Sequence, residues 1–246
     1  MKAEANRSRP RTTQAGEALA SIEIRKDPLT VEDRVVQGLR DVIVSGQLTG
    51  GTRLTHRELA DRLGVSPTPI RVALNRLDND GLVVISPTGR AIVSHLSREE
   101  FEELHVVRLA LEGLAARLGA RAVSERELVR MRALHEELVG FGLSQATTLY
   151  LRTRWEFYST CYGASHRERL LGEVERLFWR AERYNHLIFS TRQHFAASVA
   201  YHERFLEACE QNDSAAAERV LHEGIQWGAT QLLPLLPSES ELTDED

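Results

Sequence analysis

The sequence predicts a mainly α-helical fold in two parts, of which the first combines short helices with a β-hairpin and the second contains helices only. Up to residue 96, apolar residues at helical spacing alternate with short β-branched runs; beyond it, helical spacing continues to about Pro234. With 246 residues, of which 42% are hydrophobic, the chain can bury two modest cores.

The first part contains two short amphipathic helices separated by a glycine. Residues 59–63 give the first helix an apolar face, Gly64 lets the chain reverse, and residues 70–77 give the second helix its own apolar face. This layout is that of a helix-turn-helix, whose second helix, here starting near Pro67, places its N-terminus in the major groove of DNA. The pattern therefore predicts binding to double-stranded DNA.

A β-hairpin follows directly, because residues 81–85 and 91–94 are β-branched runs on either side of the turn at 86–90. It would form a wing beside the helix-turn-helix. We expect seven exposed residues of these elements to contact phosphates or base edges. They are Arg57, Ser66, Thr68, Arg71, Thr88, Gly89 and Arg90.

Charge is unevenly distributed along a chain whose net charge is −5. Residues 99–246 hold sixteen arginines against twenty-five acidic residues, so the basic surplus lies at the DNA-binding end, and DNA binding should be sensitive to salt. Residues 1–28 are expected to form a disordered arm. The alternative for its arginines Arg7, Arg9 and Arg11 is a contact with the minor groove.

Helix-start patterns recur in the second part, where a serine is followed three residues later by a glutamate at Ser97, Ser124 and Ser165. With short connections, the predicted helices form an antiparallel bundle of six members, with seven as the alternative. The six lie near residues 98–121, 125–139, 145–161, 166–189, 195–211 and 214–232.

Both parts resemble one family. Residues 48–54, 59–66, 68–74 and 80–83 resemble, in order, the winged-helix domain of the GntR family. Segments 108–120, 157–165 and 202–217 resemble the FCD effector domain of its FadR-like branch, and six helices favour the VanR-like subgroup over the seven-helix FadR type. The predicted organisation is a disordered arm at 1–28, a DNA-binding domain at 29–96, an FCD domain for effector binding and dimerisation at 97–236, and an acidic tail at 237–246.

The resemblance also implies positions for a divalent metal. Many FCD domains use an aspartate and a histidine on the third helix, a histidine on the fifth and another on the last. The matching residues here are Arg154, Tyr158, His202 and Gly224, of which His202 alone is a usual ligand, although His222 is an alternative for the last position. We expect no metal and no other cofactor, with a metal-dependent FCD regulator as an alternative.

In place of a metal, the same positions predict an anion receptor, because arginine forks suit carboxylates. The expected effector-binding residues are Arg108, Arg154, Tyr158, His202, Arg183 and Tyr184. The resemblance then implies a homodimeric repressor that binds a pseudo-palindromic operator and is released by a small organic acid. The alternative is a regulator that needs no effector and keeps only a relic of the cavity.

Other functional classes receive little support. The helices show no acid pair, nucleophile and base pair or phosphate-binding loop, so we do not expect an enzyme. The sequence has no signal-like segment and no apolar run of membrane-spanning length, which predicts a cytoplasmic protein without a membrane partner.

Overall fold

The computed structural model describes residues 14–22, 29–141, 148–185, 187–188, 192–238 and 241. The N-terminal helices are α1 (Gln14–Ala20), α2 (Val31–Val44), α3 (His56–Leu63) and α4 (Pro67–Asn79). The strands are β1 (Arg53–Leu54), β2 (Val83–Ile85) and β3 (Ala91–Val93). The later helices are α5 (Arg98–Ala120), α6 (Glu125–Gly140), α7 (Thr148–Ala164), α8 (Glu168–Asn185), α9 (Arg192–Glu210) and α10 (Ser214–Leu232), followed by one 3-10 turn at Leu233–Leu235.

Local chemistry sets the ends of the helix-turn-helix. The hydroxyl of Thr55 accepts a hydrogen bond from the backbone N–H of Glu58 at 3.3 Å, which caps the start of α3. Helix α3 ends at Gly64, whose φ of +64° is a left-handed conformation that suits glycine. Helix α4 then buries Ile70 and Leu74 completely. The predicted helix-turn-helix is therefore confirmed as a structure.

The small sheet has the antiparallel strand order β1, β3, β2. Val84 of β2 and Arg53 of β1 both lie opposite Ile92 of β3, and β2 packs against α4. This hairpin is the predicted wing. Strand β1 was not predicted, because two residues are too few to show an alternating pattern.

The segment before the DNA-binding domain differs from the prediction. A disordered arm is wrong for residues 14–22, since α1 buries Ala18 and Leu19 and its Gly16 carbonyl accepts a hydrogen bond from Arg62 at 2.9 Å. Apolar residues at positions 15, 18, 19 and 22 have helical spacing, a signal that a prediction based on charge overlooked. The remaining residues of the arm, 1–13 and 23–28, and most of the acidic tail lie outside the described residues.

The second part is all α, and within the described residues it holds six helices between 98 and 232, as predicted. Ser97 and Ser124 cap α5 and α6, and Glu127 completes a capping box with Ser124. The predicted helix start at 166 is two residues early, because His166 adopts a φ of +53° outside the helix and α8 begins at Glu168.

Candidate DNA-binding surface and effector cavity

The N-terminus of α4 faces solvent. Ser66 is its N-cap residue, yet the Ser66 side chain makes no capping hydrogen bond, and Ser66, Thr68 and Arg71 are all exposed. The first backbone N–H groups of a helix have no partner within the helix and, with the positive end of the helix dipole, suit a phosphate. Pro67 and Pro69 have no N–H, so Ser66 and Thr68 supply the N–H groups at this end. This end of α4 can therefore offer two N–H groups, two hydroxyls and a guanidinium to DNA.

The arginines around α4 fall into two groups. Arg57 is 95% exposed with only a loose 3.9 Å contact to Asp61, and Arg71 has no ion pair within the described part of the chain. By contrast, Arg76 pairs with Asp33 at 2.6 Å. An arginine that is solvated and unpaired loses no protein contact when it meets a phosphate, so Arg57 and Arg71 are better placed for DNA than Arg76.

The wing tip presents the remaining predicted residues, because Thr88, Gly89 and Arg90 are all exposed. Gly89 has a φ of +79° and donates its N–H to the carbonyl of Ser86 at 2.8 Å, which forms the tight turn of the hairpin. The structure thus places all seven sequence-predicted residues at the surface of α3, α4 and the wing. Their contacts with DNA stay a prediction.

A cavity lies within the second part, between α5, α7, α8, α9 and α10. Its lining combines polar with aromatic and aliphatic side chains, and the polar ones are those of Arg108, Glu112, Arg154, Tyr158, Asn185, Ser198 and Tyr201. It offers about 50 Å³ to the centres of water-sized molecules. One water needs about 10–15 Å³ by this measure, so the cavity as it stands holds only a few waters or a small solute.

Arg108 is paired inside the cavity wall. Its Nε donates to Glu112 Oε1 at 2.5 Å and its Nη2 donates to Glu112 Oε2 at 3.3 Å, with side chains only 7% and 2% exposed. Burial alone would lower the pKa of Arg108, but the Glu112 carboxylate raises it above its ordinary value. Within the described residues Glu112 is the hydrogen-bond partner of Arg108, which leaves three of its five N–H groups for other acceptors.

Arg154 belongs to a second buried cluster. Its Nη1 donates to Glu182, and its Nε donates to His202 Nε2 at 3.3 Å. Asn185 also donates to Glu182, at 3.0 Å. Burial, together with the positive charge of Arg154, lowers the pKa of His202 well below its usual value, so this imidazole is neutral at physiological pH.

These ion pairs alter the charge expected for the predicted anion receptor. Arg108 and Arg154 do line one cavity, as expected, and Tyr158 lines it with them. Each guanidinium, however, already faces a buried carboxylate, Glu112 or Glu182, so the two positive charges are offset. Sequence reasoning missed both glutamates, although Glu112 stands four residues after Arg108 on the same helix, which is the spacing of an intrahelical ion pair.

Two predicted effector residues lie elsewhere. Neither Arg183 nor Tyr184 is part of the cavity lining. Arg183 contacts the segment that links the two parts of the chain, and Tyr184 contacts the first turn of α5. Arg183 donates to both the hydroxyl and the carbonyl of Ser94 at 2.5 Å, and the Tyr184 hydroxyl donates to Glu100 at 2.6 Å. Because adjacent helical residues are about 100° apart, these two cannot share the face that Glu182 presents to Arg154.

The positions of the family's metal ligands do not fit a cation. His202 Nε2 accepts a hydrogen bond from Arg154, whose positive charge would repel a nearby cation, and Gly224 has no side chain to contribute. His222 does not line the cavity and donates instead to the carbonyl of Leu109 at 2.8 Å. In the portion of the chain that the structure describes, no three His, Cys, Asp or Glu side chains converge.

Comparisons with known proteins agree with the fold. The family model "Bacterial regulatory proteins, gntR family" matches residues 31–93, and the model "FCD domain" matches residues 103–226. An uncharacterized HTH-type transcriptional regulator of Bacillus subtilis, YdhC, is 27% identical over 191 residues, which cover 74% of this chain and 83% of that protein.

Two further similarities are informative. The HTH-type transcriptional repressor RspR of Escherichia coli is 22% identical over 208 residues, which cover 84% of this chain and 91% of that protein. The solved structure of E. coli McbR/YncC superposes with a TM-score of 0.73 at 22% identity, covering 84% of this chain and 99% of that one. Across the described ranges, no helix is both long and apolar enough to cross a membrane.

The FCD match covers half of the chain and the gntR match covers most of the rest. The fold, the exposed α4 and wing, and the similar regulators all agree with these two matches. The chain belongs to the GntR family of bacterial transcriptional regulators, as a DNA-binding member with a C-terminal FCD domain and not as an enzyme.

Proposed function

We propose that this regulator is a ligand-responsive repressor that binds a pseudo-palindromic operator as a homodimer and is released when a small organic acid enters the cavity. The observation that carries this proposal is the position of α8. One side of this helix reaches the cavity cluster, and another side holds the link to the DNA-binding domain. The similarity to RspR, a transcriptional repressor of E. coli, supports repression as the mode of action.

The contacts form a short path from the cavity to the recognition helix. Glu182 binds Arg154 of the cavity wall, and the next residue, Arg183, donates two hydrogen bonds to Ser94. The Ser94 hydroxyl in turn donates to the carbonyl of Gly81, just beyond the end of α4, at 2.8 Å. A ligand that draws Arg154 away from Glu182 would change the position of α8, and Arg183 would pass this change to Ser94.

For release, the ligand must bind more tightly to the arrangement that does not fit DNA, because only a difference in affinity shifts an equilibrium. We propose the joint between the two parts, residues 93–98, as the hinge, because it contains Ser94, which Arg183 holds. We therefore assign the coupling to these two residues. Cytoplasmic action on chromosomal DNA follows from the same proposal.

The two ion pairs limit the classes of acid that could bind in the cavity as an effector. A carboxylate that binds the remaining N–H groups of Arg108 would also approach the carboxylate of Glu112, and two like charges in a buried site repel. An acid that also carries a hydroxyl or ammonium group can donate to Glu112 and avoid this repulsion. We propose a small hydroxy acid or amino acid in preference to a plain carboxylate.

The experiment uses a DNA duplex that the wild-type protein selects from a random pool. Hydroxy acids, amino acids and plain carboxylates of matched size are screened first for a rise in melting temperature and then for release of the fluorescent duplex. We expect one of the first two classes to do both. A regulator with a relic cavity would show neither effect for any acid, and that result would overturn the proposal.

The coupling path is tested with Arg183→Met, which removes both hydrogen bonds to Ser94. This variant should keep the ligand-induced rise in melting temperature but lose most of the ligand-induced release of DNA. Arg176→Met is the matched control, because Arg176 lies on the same helix and its ion pair within the described residues is with the exposed side chain of Glu173. Normal ligand-induced release by Arg183→Met would show that the signal takes another route.

A further inference from the structure

The two cysteines of the chain meet in its interior. Cys161 lies on α7 and Cys209 lies on α9, and both are fully buried free thiols. Their sulfur atoms are 3.6 Å apart, with the Cys209 thiol donating to Cys161 Sγ. A cysteine that only fills apolar space needs no second sulfur beside it, so this contact between the only two cysteines of the sequence points to chemistry.

The contact belongs to a regular seam between α7 and α9. Residues that stand forty-eight positions apart in the sequence face each other along both helices, so the helices run in the same direction and in a fixed register. The steps along the seam are four, three and four residues, which is helical spacing. The facing pairs are Tyr150 and Ser198, Arg154 and His202, Phe157 and Phe205, and Cys161 and Cys209.

Helix α5 holds Cys161 in place from another side. Gly119 of α5 lies so close to Cys161 that a side chain at position 119 would collide with the Cys161 carbonyl and approach its sulfur to 3.0 Å. The last part of α7 therefore has no room to move toward α5. A change in the distance between the two sulfurs would move the end of α9 that carries Cys209.

We propose that Cys161 and Cys209 form a reversible disulfide when the protein meets hydrogen peroxide, and that this bond ties α9 to α7. The sulfurs of a disulfide lie about 2.05 Å apart, so the pair must approach by about 1.5 Å. The bond goes beyond the proposed function and does not depend on the effector. In a reducing compartment it would be transient, which suits a response to oxidative conditions.

The oxidation uses both thiols and one peroxide. One sulfur attacks a peroxide oxygen, the O–O bond breaks, and the products are a sulfenic acid and water. The other sulfur then attacks the sulfenic sulfur, the S–S bond forms, and the hydroxyl leaves as water with the remaining thiol proton. The two sulfurs together lose two electrons, which reduce hydrogen peroxide to two molecules of water.

The position of both cysteines near helix ends gives the oxidant a route. Cys161 lies in the last turn of α7, and Cys209 is the residue before the last of α9. Helix ends open locally at a lower cost than the whole fold. The contact with Cys209 and burial raise the pKa of Cys161 well above its ordinary value, so this thiol is protonated at neutral pH. We therefore expect slower oxidation than that of an exposed thiol.

The bond would join two walls of the effector cavity. Arg154 and Tyr158 of α7 and Ser198 and Tyr201 of α9 all line this cavity. The contact between Arg154 and His202 stands seven residues, or two helical turns, before the cysteines on both helices. Oxidation would limit how far α7 and α9 can separate, so the cavity of the oxidised protein would admit a ligand less readily.

Mass spectrometry of the full-length protein tests the bond. The protein is treated with hydrogen peroxide, unfolded in urea with iodoacetamide and digested with trypsin, which places the cysteines in different peptides, 155–167 and 205–219. We expect the intact chain to lose two hydrogen atoms, to take up no iodoacetamide and to yield these two peptides joined. Dithiothreitol should restore both thiols.

Cys161→Ser and Cys209→Ser are the controls, because each leaves one thiol that has no intramolecular partner. Circular dichroism checks that both variants fold, and neither should show the loss of two hydrogen atoms. A disulfide formed within the native fold restrains the unfolded chain, so the oxidised wild type should melt about 5 °C or more above the reduced wild type. Oxidation should not raise the melting temperature of either variant.

Three outcomes would overturn the proposal. They are oxidation of the two sulfurs without joined peptides, a disulfide between two chains in place of the internal one, and an oxidised wild type that melts no higher than the reduced protein. None of them bears on release of DNA by an acid, which the acid screen tests separately.

Discussion

The arginines of the DNA-binding surface and those of the cavity differ in what surrounds them. Arg57 is 95% exposed, and Arg71 has no ion pair in the described part of the chain. In the cavity, Arg108 is 7% exposed and Arg154 is 13% exposed, and each faces a glutamate that is almost completely buried. The two exposed arginines that are predicted to contact DNA thus have no close carboxylate among the described residues, whereas the two cavity arginines are each paired with one.

This difference indicates which arginines are candidate anion-binding residues. In water, a guanidinium needs no counter-charge, so an exposed arginine can wait for a phosphate at little energetic cost. In the interior, an unpaired charge is strongly unfavourable, so the fold supplies acceptors before any ligand arrives. Arg108 and Arg154 have carboxylates, whereas Arg183 has the hydroxyl and carbonyl of Ser94. Where a buried arginine and a carboxylate line the same cavity, the site is electrically balanced, and its ligand must be matched to both charges.

The largest expected effect is on stability, and it differs between the two regions when an arginine in each is replaced by methionine. Arg154→Met leaves the fully buried Glu182 without its counter-charge and should lower the free energy of unfolding by about 3–5 kcal/mol. Arg71→Met removes an exposed side chain and should change the free energy of unfolding by no more than about 0.5 kcal/mol. Urea denaturation followed by circular dichroism measures both values.

The double variant Arg154→Met with Glu182→Met sharpens this prediction. Replacing both charges by apolar groups of similar volume removes the unpaired carboxylate, so much of the lost stability should return. If Arg154→Met alone were as stable as the wild type, the buried pair would not have the energetic role assigned to it.

The next largest effect is on DNA affinity, and here the sensitive residue lies on the DNA-binding surface and not in the cavity. Arg71→Ala should weaken binding to the selected duplex by about 1–3 kcal/mol for each half-site, without loss of the folded structure. Arg76→Ala, on the same helix but paired with Asp33, is the matched control and should bind nearly as well as the wild type. Fluorescence anisotropy gives both affinities, and equal binding by all three proteins would show that α4 is not the recognition helix.

The sequence predicted the positions of the helices more accurately than the contacts among the cavity residues. Helical periodicity and serine caps are local signals, so the six helices from 98 to 232 were placed to within about four residues. Contacts between Arg154 and Glu182 join two helices and span twenty-eight positions, which no local pattern encodes. Glu182 and Arg183 are adjacent and both buried, so polarity alone could not decide which of them faces the cavity.

The smallest expected effect follows from the neutral imidazole in the cavity cluster. In the unfolded chain His202 takes up a proton near pH 6.5, whereas in the folded protein burial and the charge of Arg154 hold its pKa far below that. The unfolded state then binds more protons below pH 6.5, so the free energy of unfolding should fall as the pH falls. One such proton contributes about 1.4 kcal/mol per pH unit.

His202→Asn removes this titration, so its free energy of unfolding should depend less steeply on pH between 6.5 and 5.5 than that of the wild type. His166→Asn is the control, because His166 is exposed and asparagine tolerates its positive φ. Urea denaturation at several pH values measures the three slopes. An unchanged slope in His202→Asn would mean that His202 is protonated inside the folded protein, which would add a positive charge beside Arg154 and return the cavity to the anion receptor that the sequence alone predicted.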